Sequence, residues 1–250
     1  MNLSRLLLAP ALLASSATAL AAGTLSYASP ENEGHQQLEI GASAVRMSQQ
    51  GQPQWLLYQD ADKTLYIVDD TQRSYNRVTE QAAEALAKQV AALQKQIEQQ
   101  LAMLPPEQRD MMKGMLPQVP DMSKRNFRVE KTQGTRKVGD YTCQPVTVYD
   151  NDKASEELCL ADVSAVGLKA ADLKLLKRMG ETMSAMASQF GAGSMAAVLD
   201  QMDGVPVEHR APGAQQAKAT LVKVDTAAPD AARLSLPEGY SERPLFPGMN

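Results

Sequence analysis

The feature that most constrains the fold is a run of three short segments, between residues 54 and 78, that is apolar on both sides. Two of them flank the polar turn 60–63 and the third follows the turn 70–72, a spacing that predicts a three-stranded β-meander. Pairing Tyr58 with Leu65 puts Leu56, Tyr58, Leu65 and Ile67 on one face and Trp55, Leu57, Tyr66 and Val68 on the other. Neither face can simply be left in water, so other parts of the chain must cover the sheet.

The segment after the meander predicts the first piece of this cover. Thr79 is suited to cap a helix, and Pro105-Pro106 would end it. Between them lies an apolar stripe at helical spacing, formed by Leu86, Val90, Leu93, Ile97, Leu101 and Leu104. The stripe is shorter than three heptads, which favours one amphipathic helix laid on the sheet over a coiled coil. Together with a Met-rich piece at 107–116, it predicts a helical insertion over residues 79–116.

A second helical insertion is predicted over residues 162–202. Its apolar stripe consists of Leu176, Met179, Met183, Met186 and Phe190. Further strands are predicted at 38–47, 127–132, 141–149, 156–161, 205–210, 217–225 and 232–236. Strands grouped as antiparallel hairpins, with helices inserted as blocks, predict an α+β fold. We expect one domain over residues 38–240, preceded by a flexible lead-in at 22–37 and followed by a tail at 241–250.

The two cysteines, Cys143 and Cys159, are candidates for one disulfide. They lie in two predicted strands joined by the turn 150–153, and centring that turn near Asn151 places the two cysteines opposite each other. A catalytic redox pair is the alternative, but such pairs commonly have the much closer Cys-x-x-Cys spacing. The pattern therefore favours a structural disulfide in an oxidising compartment.

The amino terminus has the pattern of a secretory signal peptide over residues 1–21. Arg5 precedes a short apolar run, and Ala19-Leu20-Ala21 forms a small-residue cleavage site. We expect a soluble periplasmic protein after cleavage, with an uncleaved amino-terminal anchor as the alternative. The net charge of −4 argues against partners with phosphate backbones and against anionic membrane surfaces.

Residue patterns typical of enzymes are mostly missing from the sequence. His35 and His209 have no spacing that suggests paired metal ligands or a base for a nucleophile. Acidic pairs such as Asp60 and Asp62 could bind Ca²⁺, but they fall at predicted hairpin turns, where Asp is favoured anyway. We therefore expect a non-enzymatic protein without a cofactor, a metal site or a nucleic-acid partner.

Ten of the thirteen methionines lie in or beside the two helical insertions. They are Met103, Met111, Met112, Met115, Met122, Met179, Met183, Met186, Met195 and Met202. Flexible thioether side chains suit ordinary core packing, and they also suit an adaptable apolar cavity or a surface for partner helices. Binding of Cu(I) through thioethers is a third interpretation, but few imidazole or thiolate ligands accompany them.

Four segments, at 58–75, 138–143, 204–207 and 236–240, give the chain a family resemblance. It resembles an uncharacterised family of exported bacterial proteins related to the lipoprotein-carrier (LolA/LolB-like) superfamily. This resemblance implies a curved, incomplete antiparallel barrel, a half-barrel, whose concave side is covered by helices and can hold acyl chains. The departure lies in the helical insertions, which are longer and richer in Met than those of compact carriers.

The resemblance and the apolar pattern together predict a binding module for a hydrophobic ligand, such as a lipid or a lipoprotein acyl chain. The expected lining combines one face of the meander with the second helix: Trp55, Leu57, Tyr66, Val68, Met179, Met183, Met186 and Phe190. The alternative is a structural or interaction protein that docks a cell-envelope protein through its Met-rich helices.

Overall fold

The structure is a computed structural model that describes residues 23–30, 34–105, 108, 127–189 and 201–245. These residues form thirteen strands, two α-helices and a short 3-10 helix. The strands are β1 Gly23–Ala28, β2 His35–Ile40, β3 Ala44–Gln49, β4 Gln54–Gln59, β5 Thr64–Asp69, β6 Ser74–Val78, β7 Phe127–Lys131, β8 Arg136–Val138, β9 Tyr141–Asp150, β10 Lys153–Ala161, β11 Val205–Arg210, β12 Ala217–Asp225 and β13 Ser241–Arg243. The helices are α1 Glu80–Ala102 and α2 Ala170–Gln189, and the 3-10 helix is Ala231–Leu234.

All thirteen strands belong to one large, open, curved sheet. Its order is β13-β6-β5-β4-β3-β2-β1-β12-β11-β10-β9-β7, with β8 paired to β9 off this path. Neighbouring strands are antiparallel, except that β13 runs parallel to β6. Strand β1 joins the amino-terminal strands to the carboxy-terminal ones, because it pairs with both β2 and β12. The predicted α+β class is confirmed at this level: a large curved sheet with helices and one disulfide.

Several sequence-based boundaries are wrong. The expected flexible lead-in contains β1, a central strand in which Leu25 is fully buried, and the start of β2. The expected single strand 38–47 is a hairpin, since the chain turns at residues 41–43 and the Gly41 amide donates to the Ala44 carbonyl. Both errors arise because strands of six residues are too short to show a clear apolar period.

The carboxy-terminal end also differs from expectation. Residues 231–234 form a 3-10 helix where a strand was predicted, and the expected tail contributes the edge strand β13. A tight helical turn forms because the Asp230 side chain caps it by accepting a hydrogen bond from the Ala232 amide. The apolar alternation at 232–236 therefore does not form the predicted strand.

The two faces of the meander are covered by different parts of the chain. Tyr58 lies in the main core, which includes Leu175, Leu176 and Met179 of α2. Trp55, Leu57, Tyr66 and Val68 form a separate cluster with Ala44, against which Tyr75, Leu234, Leu236 and Tyr240 pack. The prediction that both faces need cover is confirmed. The Trp55 face, however, is covered by the part of the chain that contains Leu234, Leu236 and Tyr240, which we call the carboxy-terminal segment, and not by a helical insertion.

Helix α1 begins as predicted but packs differently. The Thr79 side chain accepts a hydrogen bond from the Ala82 amide, and Ala83 is fully buried in a cluster with Val78 and Met186. Further along, Val90 is 38% exposed, and the helix contacts α2. Its apolar stripe is therefore not laid on the sheet along its whole length. The helix ends at Ala102, and the predicted Met-rich piece at 107–116 lies outside the described residues except for residue 108.

The disulfide between Cys143 and Cys159 is confirmed, with 5.4 Å between the two Cα atoms. The predicted register is wrong by two residues, because Cys143 pairs with Ala161 and Cys159 pairs with Pro145. The turn pairs Asp150 with Lys153, which is one position away from a turn centred on Asn151, and an irregularity between Ala154 and Glu156 adds the second. The bond thus joins neighbouring strands diagonally. Within the part of the chain described above, no helix is long and apolar enough to cross a membrane.

Candidate functional site

A cavity of about 270 Å³ lies between the sheet and helix α2. It is bordered mainly by apolar side chains of the sheet and the helix. The lining residues are Leu25, Tyr27, Gln36, Gln37, Leu38, Met47, Leu158, Leu176, Met179, Met202, Val205, Pro206, Glu208, His209 and Ala219. We call this space the α2 cavity.

The sheet side of the α2 cavity follows from strand register. Leu25 pairs with Leu38, and Leu38 pairs with Met47, so these three side chains lie on one face. On the helix side, Leu176 and Met179 are three positions apart and therefore lie on the same side of α2. Apolar side chains thus come from both layers and converge on one space.

Charged residues border one end of the α2 cavity, and their charges are compensated within the protein. His209 Nε2 lies 2.6 Å from Glu156 Oε2, and Lys218 Nζ lies 3.2 Å from the same oxygen. The neighbouring Glu208 carboxylate accepts hydrogen bonds from Arg136 and Arg210. This end can therefore orient a polar group of a ligand without presenting a large excess of charge of one sign.

Tyr27 adds a neutral polar group to the cavity wall. Burial raises the pKa of its hydroxyl above the usual value, and the nearby Tyr141 raises this pKa further. The hydroxyl therefore stays protonated and can donate a hydrogen bond at physiological pH.

Helix α2 is attached to the sheet by a polar contact beside the cavity, which we call the α2 latch. Arg178 Nε donates to Asp60 Oδ1 over 2.7 Å, and the Tyr58 hydroxyl donates to the same oxygen over 3.0 Å. The hydrogen bond from Arg178 holds the pKa of the Asp60 carboxyl below its usual range. Thr182, one turn further along α2, lies 3.5 Å from the Tyr58 hydroxyl. The latch fixes the helix over the sheet and so maintains the space beneath it.

A second cavity, of about 260 Å³, adjoins the first and is more open to solvent. It shares two lining residues, Gln36 and Met47, with the α2 cavity. Its other lining residues are Ser48, Gln49, Gln54, Trp55, Leu56 and Ile67. We call it the open cavity.

Comparison with known proteins assigns the chain to a family. The family model described as "Domain of unknown function (DUF4412)" matches residues 59–240, well over half of the chain. The chain belongs to the DUF4412 family. No curated protein matches it.

Two solved structures are similar to this DUF4412 protein at low identity. The structure of PNGF-II in the C2 space group is 9% identical with a TM-score of 0.43, and the match covers 90% of this chain but 31% of that one. The crystal structure of an uncharacterized conserved protein from Thermus thermophilus is 9% identical with a TM-score of 0.41, and the match covers 90% of both chains. The DUF4412 chain thus spans about a third of the length of PNGF-II. Neither the family match nor these two structures links it directly to the lipoprotein carriers.

The predicted lining residues of the DUF4412 protein do not come together in one site. Met179 lines the α2 cavity, Met183 packs against the same core, and Met186 belongs to the cluster around Val78 and Ala83. Phe190 lies outside the described residues.

The other four predicted lining residues do not face α2. Trp55, Leu57, Tyr66 and Val68 lie on the opposite face, under the carboxy-terminal segment, although Trp55 also borders the open cavity. The physical reason is the period of two along a strand, which puts Leu56 and Tyr58 on the α2 side. The face of the meander that carries Tyr58 is the one that α2 covers.

Three residues that line the α2 cavity, Leu25, Leu38 and Met47, were not predicted from the sequence. Leu38 stands next to polar residues, and Leu25 fell in the expected lead-in. The available signal was the alternation of apolar and polar residues at 36–40, which is short but has the period of a half-buried strand.

The acidic pairs occupy turns, as expected. Asp60 binds Arg178, and Asp69 accepts a hydrogen bond from the Gln72 amide within its own turn. No group of three or more His, Cys, Asp or Glu side chains that could hold a metal occurs among the residues that the structure describes. The possible Cu(I) ligands Met111, Met112 and Met115 lie outside those residues.

Proposed function

We propose that this protein is an exported, non-enzymatic binding module that holds a hydrophobic ligand in the α2 cavity. The supporting observation is the cavity itself, with apolar side chains from both the sheet and the helix around about 270 Å³. Protein interiors are normally packed with few voids larger than a water molecule. Spaces lined mainly by apolar side chains bind apolar molecules.

The cavity volume limits the size of the ligand. Pockets for small molecules begin at about 300 Å³, so the α2 cavity alone suits a small ligand or part of a single aliphatic chain. The resemblance to lipoprotein carriers in segments 58–75 and 236–240 supports a lipid or acyl chain as the ligand class. The signal-peptide pattern and the buried disulfide support a periplasmic location, where disulfides persist.

The test is to fill the cavity and measure binding of dodecyl maltoside by displacement of anilinonaphthalene sulfonate. Ala219 lines the cavity, so Ala219→Phe places a ring in the ligand space. The control is Val222→Phe on the same strand, where the side chain is 51% exposed. We expect at least tenfold weaker binding by Ala219→Phe and unchanged binding by Val222→Phe. Equal binding by wild type and Ala219→Phe would overturn the proposal.

A second candidate function, docking of a cell-envelope protein, is favoured by helix α1. Val90 is 38% exposed in the middle of the helix, and Met103 is 86% exposed just after its end. A photo-crosslinking residue at Val90 tests this function in periplasmic extracts, with Lys88 on another side of the helix as the control position. Docking predicts a discrete, saturable adduct from position 90 and none from position 88. The same weak labelling from both positions would contradict it.

A further inference from the structure

A row of apolar side chains crosses five strands of the sheet at right angles to the chain direction. Strand pairing links each member to the next in the order Leu25, Leu38, Met47, Leu56 and Ile67. Directly paired residues lie on the same face. Neighbouring strands are about 4.8 Å apart, so the row is about 19 Å long.

Two flanking rows make this apolar row the floor of a groove. On one side, Ile40, Val45 and Tyr58 are paired in sequence and fully buried in the core beneath α2. On the other side, two residues along each strand, lie the glutamines at positions 36, 49 and 54. Leu38, Met47, Leu56 and Ile67 themselves are half-buried. The groove is therefore about one side chain wide, with apolar core on one side and neutral amides on the other.

The groove runs past both cavities. The α2 cavity contains Leu25, Leu38 and Met47, and the open cavity contains Met47, Leu56 and Ile67. Because Met47 and Gln36 line both, the two cavities adjoin along the row, and we call the row with its two cavities the path. The path leads from the space beneath α2 to a more open end near Gln54.

The charges along the path limit the chemistry of its occupant. The lining of the open cavity contains no charged side chain. Beyond Gln54, the glutamine row continues into Asp69, whose carboxylate accepts a hydrogen bond from the Gln54 amide. An uncharged polar head fits this rim of neutral amides, whereas a carboxylate head would find no positively charged side chain in the lining of the open cavity.

We propose that the ligand is a single unbranched aliphatic chain with an uncharged polar head. The chain lies across strands β1 to β5 along the apolar row. Its end is held in the α2 cavity, and the head of a chain long enough to span the row lies at the glutamine rim. This inference rests on the proposed function and adds the shape and head-group class of the ligand.

The test is a chain-length series of alkyl maltosides, from octyl to hexadecyl, each used below its micelle-forming concentration. Displacement of anilinonaphthalene sulfonate reports the affinity. For wild type we expect roughly a fourfold gain per added methylene, since each buried methylene contributes about 0.8 kcal/mol. The gain should continue into the longer chains that reach Leu56 and Ile67.

Variants at the open end separate the groove from the cavity. Leu56→Gln, or Ile67→Gln if the first does not fold, should end the gain at a shorter chain than in wild type. Val222→Gln, an exposed apolar position elsewhere on the sheet, is the matched control and should behave as wild type. Dodecanoate should bind several-fold more weakly than dodecyl maltoside.

The outcomes distinguish this inference from the proposed function. If no maltoside displaces the probe, both are overturned. A second outcome is that short chains bind, that the affinity of wild type stops rising with chain length, and that Leu56→Gln and Ile67→Gln bind the whole series as wild type does. This outcome would overturn the groove but leave the proposal for the α2 cavity in place. Tighter binding of dodecanoate than of dodecyl maltoside would overturn the uncharged head.

Discussion

At the scale of single residues, a buried carboxylate fixes the carboxy-terminal segment to the sheet. Glu39 is 5% exposed and binds two guanidinium groups, with Arg46 Nη1 at 3.1 Å and Arg233 Nε at 2.6 Å. Arg46 also stacks on the Trp55 ring, with 4.2 Å between its guanidinium carbon and the ring centroid. Arg233 belongs to the 3-10 helix, so this contact ties that helix to the face opposite the α2 cavity.

Replacing Glu39 by Gln should lower the free energy of unfolding by about 3 kcal/mol, because the half-buried Arg46 loses its charged partner. Urea denaturation followed by Trp55 fluorescence measures the change. Glu84→Gln on α1 is the control, because its partner Lys88 is well exposed, and this variant should match wild type. A Glu39→Gln variant as stable as wild type would show that the contact with Arg233 and Arg46 contributes nothing net.

The α2 latch should make stability depend on pH. The pKa of Asp60 is lowered in the folded state, so its contribution is complete above the unfolded value of 3.8 and is lost as the pH falls through the folded value. Asp60→Asn should reduce the free energy of unfolding by about 1 kcal/mol at neutral pH, a modest figure because Arg178 is 40% exposed.

Urea denaturation of both proteins across the acid range measures this difference. The gap between wild type and Asp60→Asn should narrow below pH 3.8. A gap that stays constant down to the lowest pH would contradict the role assigned to the Asp60 carboxylate.

At the scale of elements, the carboxy-terminal segment acts as the cover of one sheet face. The Tyr240 hydroxyl and Trp55 Nε1 both donate to Asp70 Oδ1, and Leu234 and Leu236 pack on the same cluster. Helix α2 performs the same task on the other face. Each layer thus closes one side of a sheet that is apolar on both.

Deleting residues 230–250 should expose Trp55, which is the single tryptophan of the chain and 5% exposed. We expect a red shift of its fluorescence emission, since the indole moves from an apolar cluster into water. Tyr240→Phe keeps the ring and should leave the emission unchanged. An unshifted spectrum in the truncated protein would mean that the segment does not cover this face.

The disulfide between β9 and β10 should stabilise the carboxy-terminal half of the sheet. Replacing both Cys143 and Cys159 by Ala is expected to cost about 3 kcal/mol, the value for closing a loop of this length. Urea denaturation measures the loss, and adding a reductant to wild type should reproduce it. No difference between the reduced and oxidised forms would contradict this expectation.

Local sequence patterns predicted individual elements correctly. The sequence did not show how elements that are far apart in the chain pack against one another. The pairing of Tyr58 with Leu65 and the Thr79 cap depend on neighbours in the chain, and both were found. Which face of the meander α2 covers depends on contacts such as Arg178 with Asp60, which are far apart in sequence. Strand β1 was missed for a similar reason, because its partners β2 and β12 define it more than its own composition does.

At the scale of the whole molecule, the α2 cavity lies where the two halves of the sheet meet. Strand β1 pairs with β2 on one side and with β12 on the other, and Leu25 at this junction lines the cavity. Helix α2 lies over the junction. The α2 cavity is thus formed by the sheet and the helix together, and a separated half of the chain would lack one of its walls.

The methionine methyl groups give the most direct test of the account. Met47, Met179 and Met202 line the α2 cavity, whereas Met103 is 86% exposed and belongs to a different part of the surface. Nuclear magnetic resonance of protein labelled at the methionine methyls should show the first three signals shifting together as dodecyl maltoside is added, with Met103 unchanged. Saturating shifts at Met103 without shifts at the three cavity methionines would contradict binding beneath α2.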